Sequence, residues 1–303
     1  MKSKNILVIG SLNIDLVTRV PHLPQPGETI ASRKFQKNPG GKGANQAVAA
    51  AKLGANVTMI GKVGTDEHGE LLINSLRSAG VSTAGIRREG TTGMAFISVS
   101  DEGENHIVLV AGDNNAVRRS DISAMRGLIE ESDMIVMQLE IPLEVVKHAL
   151  ELAVGLGKNV ILNPAPARDL PAEMLRHVYV LIPNETELQI LSGMPTSTEQ
   201  EIVDAARHLN SLGNQRVIVT MGDRGSFLIS ETLHTHIPAY PVRAVDTTAA
   251  GDAYVAAFAV GKTQGMSDVE AAKFASKVAA ITVTREGAQP SLPTRDDVQR
   301  YPL

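Results

Sequence analysis

Short β-branched and aliphatic runs alternate with longer stretches of helical periodicity along most of the chain, the pattern of parallel strands joined by crossover helices. The strand runs are Ile6 to Gly10, Val57 to Ile60, Met134 to Gln138, Val160 to Asn163, Val178 to Ile182 and Val217 to Thr220. Helical periodicity covers Asn45 to Leu53, Glu70 to Ser78, Leu143 to Val154, Glu185 to Leu191, Glu199 to Leu212 and Val269 to Val283. Gly54, Gly80 and Gly213 stand where a left-handed residue would close such helices. Two regions, about Thr18 to Asn38 and Met94 to Val110, break the rhythm with extended segments. In the second, two alternating runs flank Asp101-Glu102-Gly103-Glu104-Asn105, which reads as a hairpin. The expected fold is an α/β, doubly wound, mainly parallel sheet flanked by helices, one domain over 1–303. A small β-sheet lid, inserted at about 12–40 and 92–112, would cover the carboxyl ends of the main strands, where such folds bind ligands.

Composition narrows the function classes. Hydrophobic residues make up 43% of the 303, yet no apolar run approaches a membrane span, so a soluble protein is expected. Met1-Lys2-Ser3-Lys4-Asn5 leads directly into the first strand, and no export signal is read there. The chain has no cysteine, which excludes thiolate chemistry and fits a reducing, cytoplasmic setting. A formal charge of −4, with basic residues clustered no further than Arg118-Arg119, argues against nucleic acid.

The strongest chemical signal is Asp246-Thr247-Thr248-Ala249-Ala250-Gly251-Asp252, small residues opening an apolar helix. Unpaired amides of Ala249, Ala250 and Gly251 at that helix start would form an anion pocket, and Asp252 in the first turn could accept a proton from an attacking hydroxyl. A helix start favours the ionised carboxylate, so position rather than raised basicity is the expected asset. Plain capping is the competing explanation. A second segment, Gly40-Gly41-Lys42-Gly43-Ala44-Asn45-Gln46, puts three glycines and a lysine before an alanine-rich helix, with Asn45 able to donate and accept. It matches neither the Walker spacing nor a dinucleotide fingerprint, and a tight helix entry would also explain it. Asn13 and Asp15 fall on one side of an extended segment and could grip adjacent hydroxyls, or form a turn. Asn184 and Glu187 are spaced for a hydrated magnesium ion or, equally, a capping box. Thr220-Met221-Gly222-Asp223-Arg224-Gly225 could line a nucleotide or simply turn a hairpin.

Taken together, these segments resemble the ribokinase family of carbohydrate kinases over nearly the whole chain, with Asn163-Pro164-Ala165-Pro166-Ala167-Arg168 and Arg285-Glu286-Gly287-Ala288-Gln289-Pro290-Ser291 adding to the match. The resemblance implies ATP-dependent phosphorylation of D-ribose at O5, with Asp252 as base and Ala249, Ala250 and Gly251 as anion hole. It implies sugar contacts from Asn13, Asp15, Gly41, Lys42, Gly43, Ala44, Asn45 and Glu140. Nucleotide contacts would come from Asn184, Thr220, Met221, Gly222, Asp223, Arg224, Gly225, Gly251, Asp252 and Ser276. Magnesium would be organised by Asn184 and Glu187, and activating potassium by Asp246, Thr248, Thr282, Arg285, Gly287 and Ser291. A homodimer paired through the lid sheets is implied too. Relatives carry Thr-Phe where this chain has Ala253-Tyr254, and Ser98 and Val110 would alter the lid's contact with sugar, which keeps 2-deoxyribose or another pentose as the alternative substrate. A sugar-binding regulator without catalysis is the alternative of a different class; a nicotinamide dehydrogenase is disfavoured by the failed glycine fingerprint.

Overall fold

A computed structural model describes residues 4–302. Met1 to Ser3, the start of the segment in which no export signal was read, and Leu303, the end of the expected domain, lie outside the described residues. The strands are β1 (Asn5–Ile9), β2 (Asn13–Val20), β3 (Lys34–Gly40), β4 (Asn56–Val63), β5 (Ser82–Arg88), β6 (Gly93–Ser100), β7 (Asn105–Val110), β8 (Met134–Met137), β9 (Val160–Leu162), β10 (Val180–Leu181), β11 (Arg216–Thr220), β12 (Ser226–Ser230) and β13 (His234–Ile237). We label the helices of eight residues or more α1 (Lys42–Lys52), α2 (Glu67–Ser78), α3 (Leu143–Gly155), α4 (Glu185–Ser192), α5 (Glu199–Ser211), α6 (Ala250–Thr263) and α7 (Asp268–Thr282).

Nine strands form the main sheet in the order β13-β12-β11-β10-β9-β8-β1-β4-β5, parallel from β11 to β5 and antiparallel at the β11-β12-β13 edge. Sequence order runs outward from β1 in both directions, so the topological switch point lies between β1 and β8, where doubly wound sheets bind ligands. Alternate strand residues serve two cores. Ile6, Val8, Met59 and Val136 pack with α1, α2, α6 and α7, while Leu7, Ile9, Ile135 and Met137 pack with α3, α4 and α5.

The lid is a second sheet, β3-β2-β6-β7, with β2 and β6 parallel and the two outer pairs antiparallel. Pairing of Asp15 with Ala95, and of Ile97 with Ile107, puts these residues on one face, with Val17 and Val99, toward a cleft of about 530 Å³. Phe35, Phe96, Val108 and Val110 are exposed on the other. Ser98 and Val110 do not line the cleft; Ser98 meets the hydroxyl of Thr18 at 3.2 Å instead, which corrects their expected role at the ligand.

Local chemistry explains the element ends. Asp66, Asn184, Thr198 and Ser267 cap their helices, the last three in reciprocal boxes. α1 starts at Lys42 rather than Asn45 because Gly41, at φ 88°, makes the entry turn itself. α6 is sheathed by protein from Asp252 to Gly261, and Phe258 at its centre is fully buried. Replacing Phe258 with alanine is expected to lower unfolding free energy by about 3–5 kcal/mol. Urea denaturation of the two proteins checks this, and a loss below about 1 kcal/mol would contradict the packing described.

Candidate active site

The site is assembled at the carboxyl ends of β1, β8, β9, β10 and β11, where α1 and α6 meet. Asp252, in the first turn of α6, is 8% exposed, and each of its oxygens accepts from a side-chain amide of α1. Asn45 Nδ2 lies 3.0 Å from Oδ2 and Gln46 Nε2 lies 2.9 Å from Oδ1. α1 comes this close to the sheet because Gly43 has no side chain; a Cβ there would sit 2.6 Å from the backbone nitrogen of Ser11.

Burial raises the pKa of Asp252 above the ordinary carboxylate value, outweighing Lys42 and the hydrogen bonds from Asn45 and Gln46, while Glu140 adds to the rise. This corrects the expectation that the helix start would leave its basicity unraised. Asp15 is pushed up to about 7, chiefly by burial and then by the charges of Glu140 and Asp252. Burial works against the Lys42 ammonium, but Asp252, Glu140 and Glu187 overcome it and raise its pKa.

A second set of contacts fixes the β1–β2 turn. Glu140 Oε2 accepts from the hydroxyl of Ser11 and, at 3.1 Å, from the Lys42 amide. Asn114, buried just after the lid, accepts from Leu12 N at 2.9 Å and donates to Leu12 O at 3.0 Å and Asn13 Oδ1 at 2.8 Å. With one lone pair of Oδ1 so occupied, the amide hydrogens of Asn13 are turned away from Asn114 and free to meet a ligand. Asn45 Oδ1 is buried without a partner, an acceptor suited to a ligand hydroxyl.

Asn13, Asp15, Gly41, Lys42, Asn45, Glu140 and Asp252 are thus brought together, with Glu187 near enough for its charge to act on Lys42. Gly43 and Ala44 are not. Both are buried against Ser11, Ala44 donating its amide to Ser11 O at 3.0 Å, so they pack the helix rather than face a ligand. Ala249 adopts φ 62° before α6, and Ala250 gives its N–H to Thr247 O at 3.2 Å, so that amide is not unpaired as expected.

Thr220 to Gly225, expected to line a nucleotide or turn a hairpin, contains a 3-10 turn between antiparallel β11 and β12 and does turn a hairpin. Within it, Gly222, Asp223 and Arg224 are exposed, Arg224 pairing with Glu185, while the side chain of Met221 is buried in the core. Asn184 and Glu187 do form the capping box, at 2.8 and 2.9 Å, and burial keeps the Glu187 pKa raised. Ser276 spends its hydroxyl on Pro238 O, 3.0 Å away.

Of the potassium positions, Asp246 binds Thr248 N and Oγ1 through one oxygen and Gly287 N through the other. Burial disfavours the Asp246 charge, but these bonds prevail and lower its pKa. The hydroxyls of Thr282 and Ser291 donate to carbonyls of their own helix and turn, which leaves their oxygen lone pairs for an ion, and the Arg285 guanidinium reaches Asp297 at 3.2 Å, so that residue has only its carbonyl to offer one.

Sequence reasoning missed Ser11, Gln46, Asn114 and Gln138 as members of the site. It also noted Tyr254 only as a departure; its phenol bonds the hydroxyl of Ser226 at 2.8 Å, tying α6 to the strand that follows the 220–225 turn.

A doubly wound sheet whose switch point holds a buried carboxylate under a strand lid is the architecture of an α/β enzyme for small polar substrates. The chain belongs to the pfkB family of carbohydrate kinases, which it matches over residues 3–295. A ribokinase of Haemophilus influenzae is 40% identical over 98% of each chain, and a deoxyribokinase of Salmonella typhimurium is 42% identical over 98% of each. Arabidopsis thaliana ribokinase complexed with ribose and ATP is 34% identical, covers 99% of this chain and 98% of its own, and superposes with a TM-score of 0.92.

Because Asp15 binds its proton more tightly when folded, its ionisation costs stability increasingly as pH rises from about 4 to about 7. Asp15→Asn should therefore stabilise the fold, and raise its melting temperature, more at pH 8 than at pH 5, the two gains in unfolding free energy differing by ~3 kcal/mol. Thermal unfolding at both pH values checks this; equal shifts would refute the elevated value.

Proposed function

We propose that this protein is a ribokinase, transferring the γ-phosphoryl group of ATP to O5 of D-ribose to give ribose 5-phosphate and ADP. The observation that carries the reading is the placement of Asp252, buried at a helix start beside Asn45, with Asn13, Asp15, Lys42 and Glu140 gathered around it. Asp252 takes the proton of the sugar hydroxyl as that oxygen attacks phosphorus. Ala249 and Gly251 offer amides to the transferring group, and Ala250 joins them once its bond to Thr247 opens. Asn13 donates to a ring hydroxyl, Asn45 accepts from one, and Asp15 and Glu140 complete the sugar's polar frame. The lid excludes water.

ATP would lie beside Asn184, Thr220 to Gly225 and Ser276, where the Gly222 to Arg224 turn is exposed. Magnesium supplies charge neutralisation on the phosphates. Glu187, with no cation paired to it and its charge felt at Asp252 and Lys42, would hold the ion's water shell. A monovalent cation suits the loops around ionised Asp246, which are laced together by the bonds of Val245 N and Asp246 N to Val283 O. Two copies would pair through their lids, since β7 exposes Ile107 and Leu109 on one face and Val108 and Val110 on the other. The reaction belongs in the cytoplasm, where ATP is supplied.

The 42% identical deoxyribokinase supports a second reading, with 2-deoxyribose as the sugar. Coupled ADP release with ribose, 2-deoxyribose, arabinose and fructose, with and without potassium, separates the two. Ribose should give the highest kcat/KM, with stimulation by potassium; a clear preference for 2-deoxyribose would transfer the assignment.

Asp252→Asn should lower kcat by about 10² to 10⁴ while ribose still binds by calorimetry. Near-normal turnover in that variant would remove Asp252 as base. For the lid, Val108→Asp is expected to shift the protein from dimer to monomer in size-exclusion chromatography with light scattering, and a monomeric wild type would dismiss the pairing.

A further inference from the structure

Gln46 holds no ligand role above, yet it is fully buried and its side chain lies against Asp252. Its Nε2 donates to Asp252 Oδ1 at 2.9 Å and to Asn163 Oδ1 at 3.2 Å, and its Oε1 accepts from Gln138 Nε2 at 2.6 Å. Amides can be turned either way, but here the partners decide. Ile182 O, a main-chain carbonyl, can only accept, so Asn163 turns its Nδ2 toward it, at 3.0 Å, and its Oδ1 toward Gln46. That oxygen can only accept in turn, which obliges Gln46 to present its nitrogen. One N–H goes to Asn163 and the other to Asp252.

We propose that Gln46 is a positioning residue for the base: a relay from the Ile182 carbonyl through Asn163 holds a hydrogen-bond donor permanently against Asp252 Oδ1, orienting the carboxylate and favouring its proton-accepting form. The surrounding charges show why a donor is needed. Lys42 at the start of α1 is the cation acting on Asp252, whereas Glu140 after β8, Asp15 on β2 and Glu187 on α4 are carboxylates that oppose a further negative charge. Burial opposes it as well. Lys42 is shared with two carboxylates besides Asp252, Glu140 and Glu187, so the neutral donors Asn45 and Gln46 shift the balance without bringing a counter-charge that a ligand would have to displace.

The inference rests on Asp252 acting as base, and the experiment separates the two claims. kcat/KM for ribose is measured against pH, at saturating ATP, for wild type, Gln46→Met, Gln46→Glu and Asp252→Asn. Activity needs ionised Asp252 and so falls as pH drops through its pKa. Loss of the donor raises that pKa, and the acid limb should move to higher pH by about one unit in Gln46→Met, further in Gln46→Glu. A purely structural role would lower activity at every pH and leave the limb in place, and that result, or no change at all, overturns the proposal. Should Gln46→Met not fold, Gln46→Glu, which exchanges only the amide nitrogen for oxygen, decides alone. If Asp252→Asn retains its rate, the base assignment fails; if it is inactive while the Gln46 variants keep the wild-type limb, only the relay fails.

Discussion

The structure depends on keeping one negative charge where the protein is nearly dry. Asp252 sits at the junction of α1 and α6, 8% exposed, and an isolated carboxylate at such a place would take up a proton and become neutral. Two amides from successive residues of α1 and the ammonium of Lys42 oppose that outcome. They come from a single helix, so the geometry of the charge is set by how α1 seats on the sheet. That seating rests on Gly43 lying against Ser11 and on Gly41 turning the chain into the helix. The glycine-rich segment before α1 is thus a packing device for the helix that furnishes the donors.

The same economy appears at the lid. Asn114, which follows the last lid strand, clasps both backbone groups of Leu12 and the side chain of Asn13, which open the first lid strand. Glu140 reaches the Lys42 amide and the Ser11 hydroxyl, fastening the end of β8 to the end of β1. Residues gathered around the cleft therefore also join the lid to the sheet.

Much of this was legible in the chain. The alternation of strands and helices around a mainly parallel sheet, and the presence of a second, small sheet, come from local patterns, and local patterns specified them correctly. What escaped was of two kinds. Edge elements such as β5 and β13 carry little signal, since β5 is half polar and β13 is four residues long with two histidines. The polar network escaped because its partners are remote: Gln46 meets Asp252 across 206 positions, Gln138 meets Gln46 across 92, and Asn114 meets Leu12 across 102. No window contains both ends of such a bond. Gly43 and Ala44 were taken as ligand contacts for a related reason, because a glycine needed for close packing and a glycine needed for a ligand look the same in sequence.

The lid is stitched to the body by four chain crossings, at Leu12 to Asn13, Gly40 to Gly41, Thr92 to Gly93 and Val110 to Gly112. A flap on one strand can swing through a wide arc, but a plate fastened along its whole edge can only rock. Its travel is short, and guests must slip in sideways past its free rim. Because Asn13 belongs to that fastened edge, a pull on its side chain acts on the pivot directly and becomes tilt without an intervening messenger.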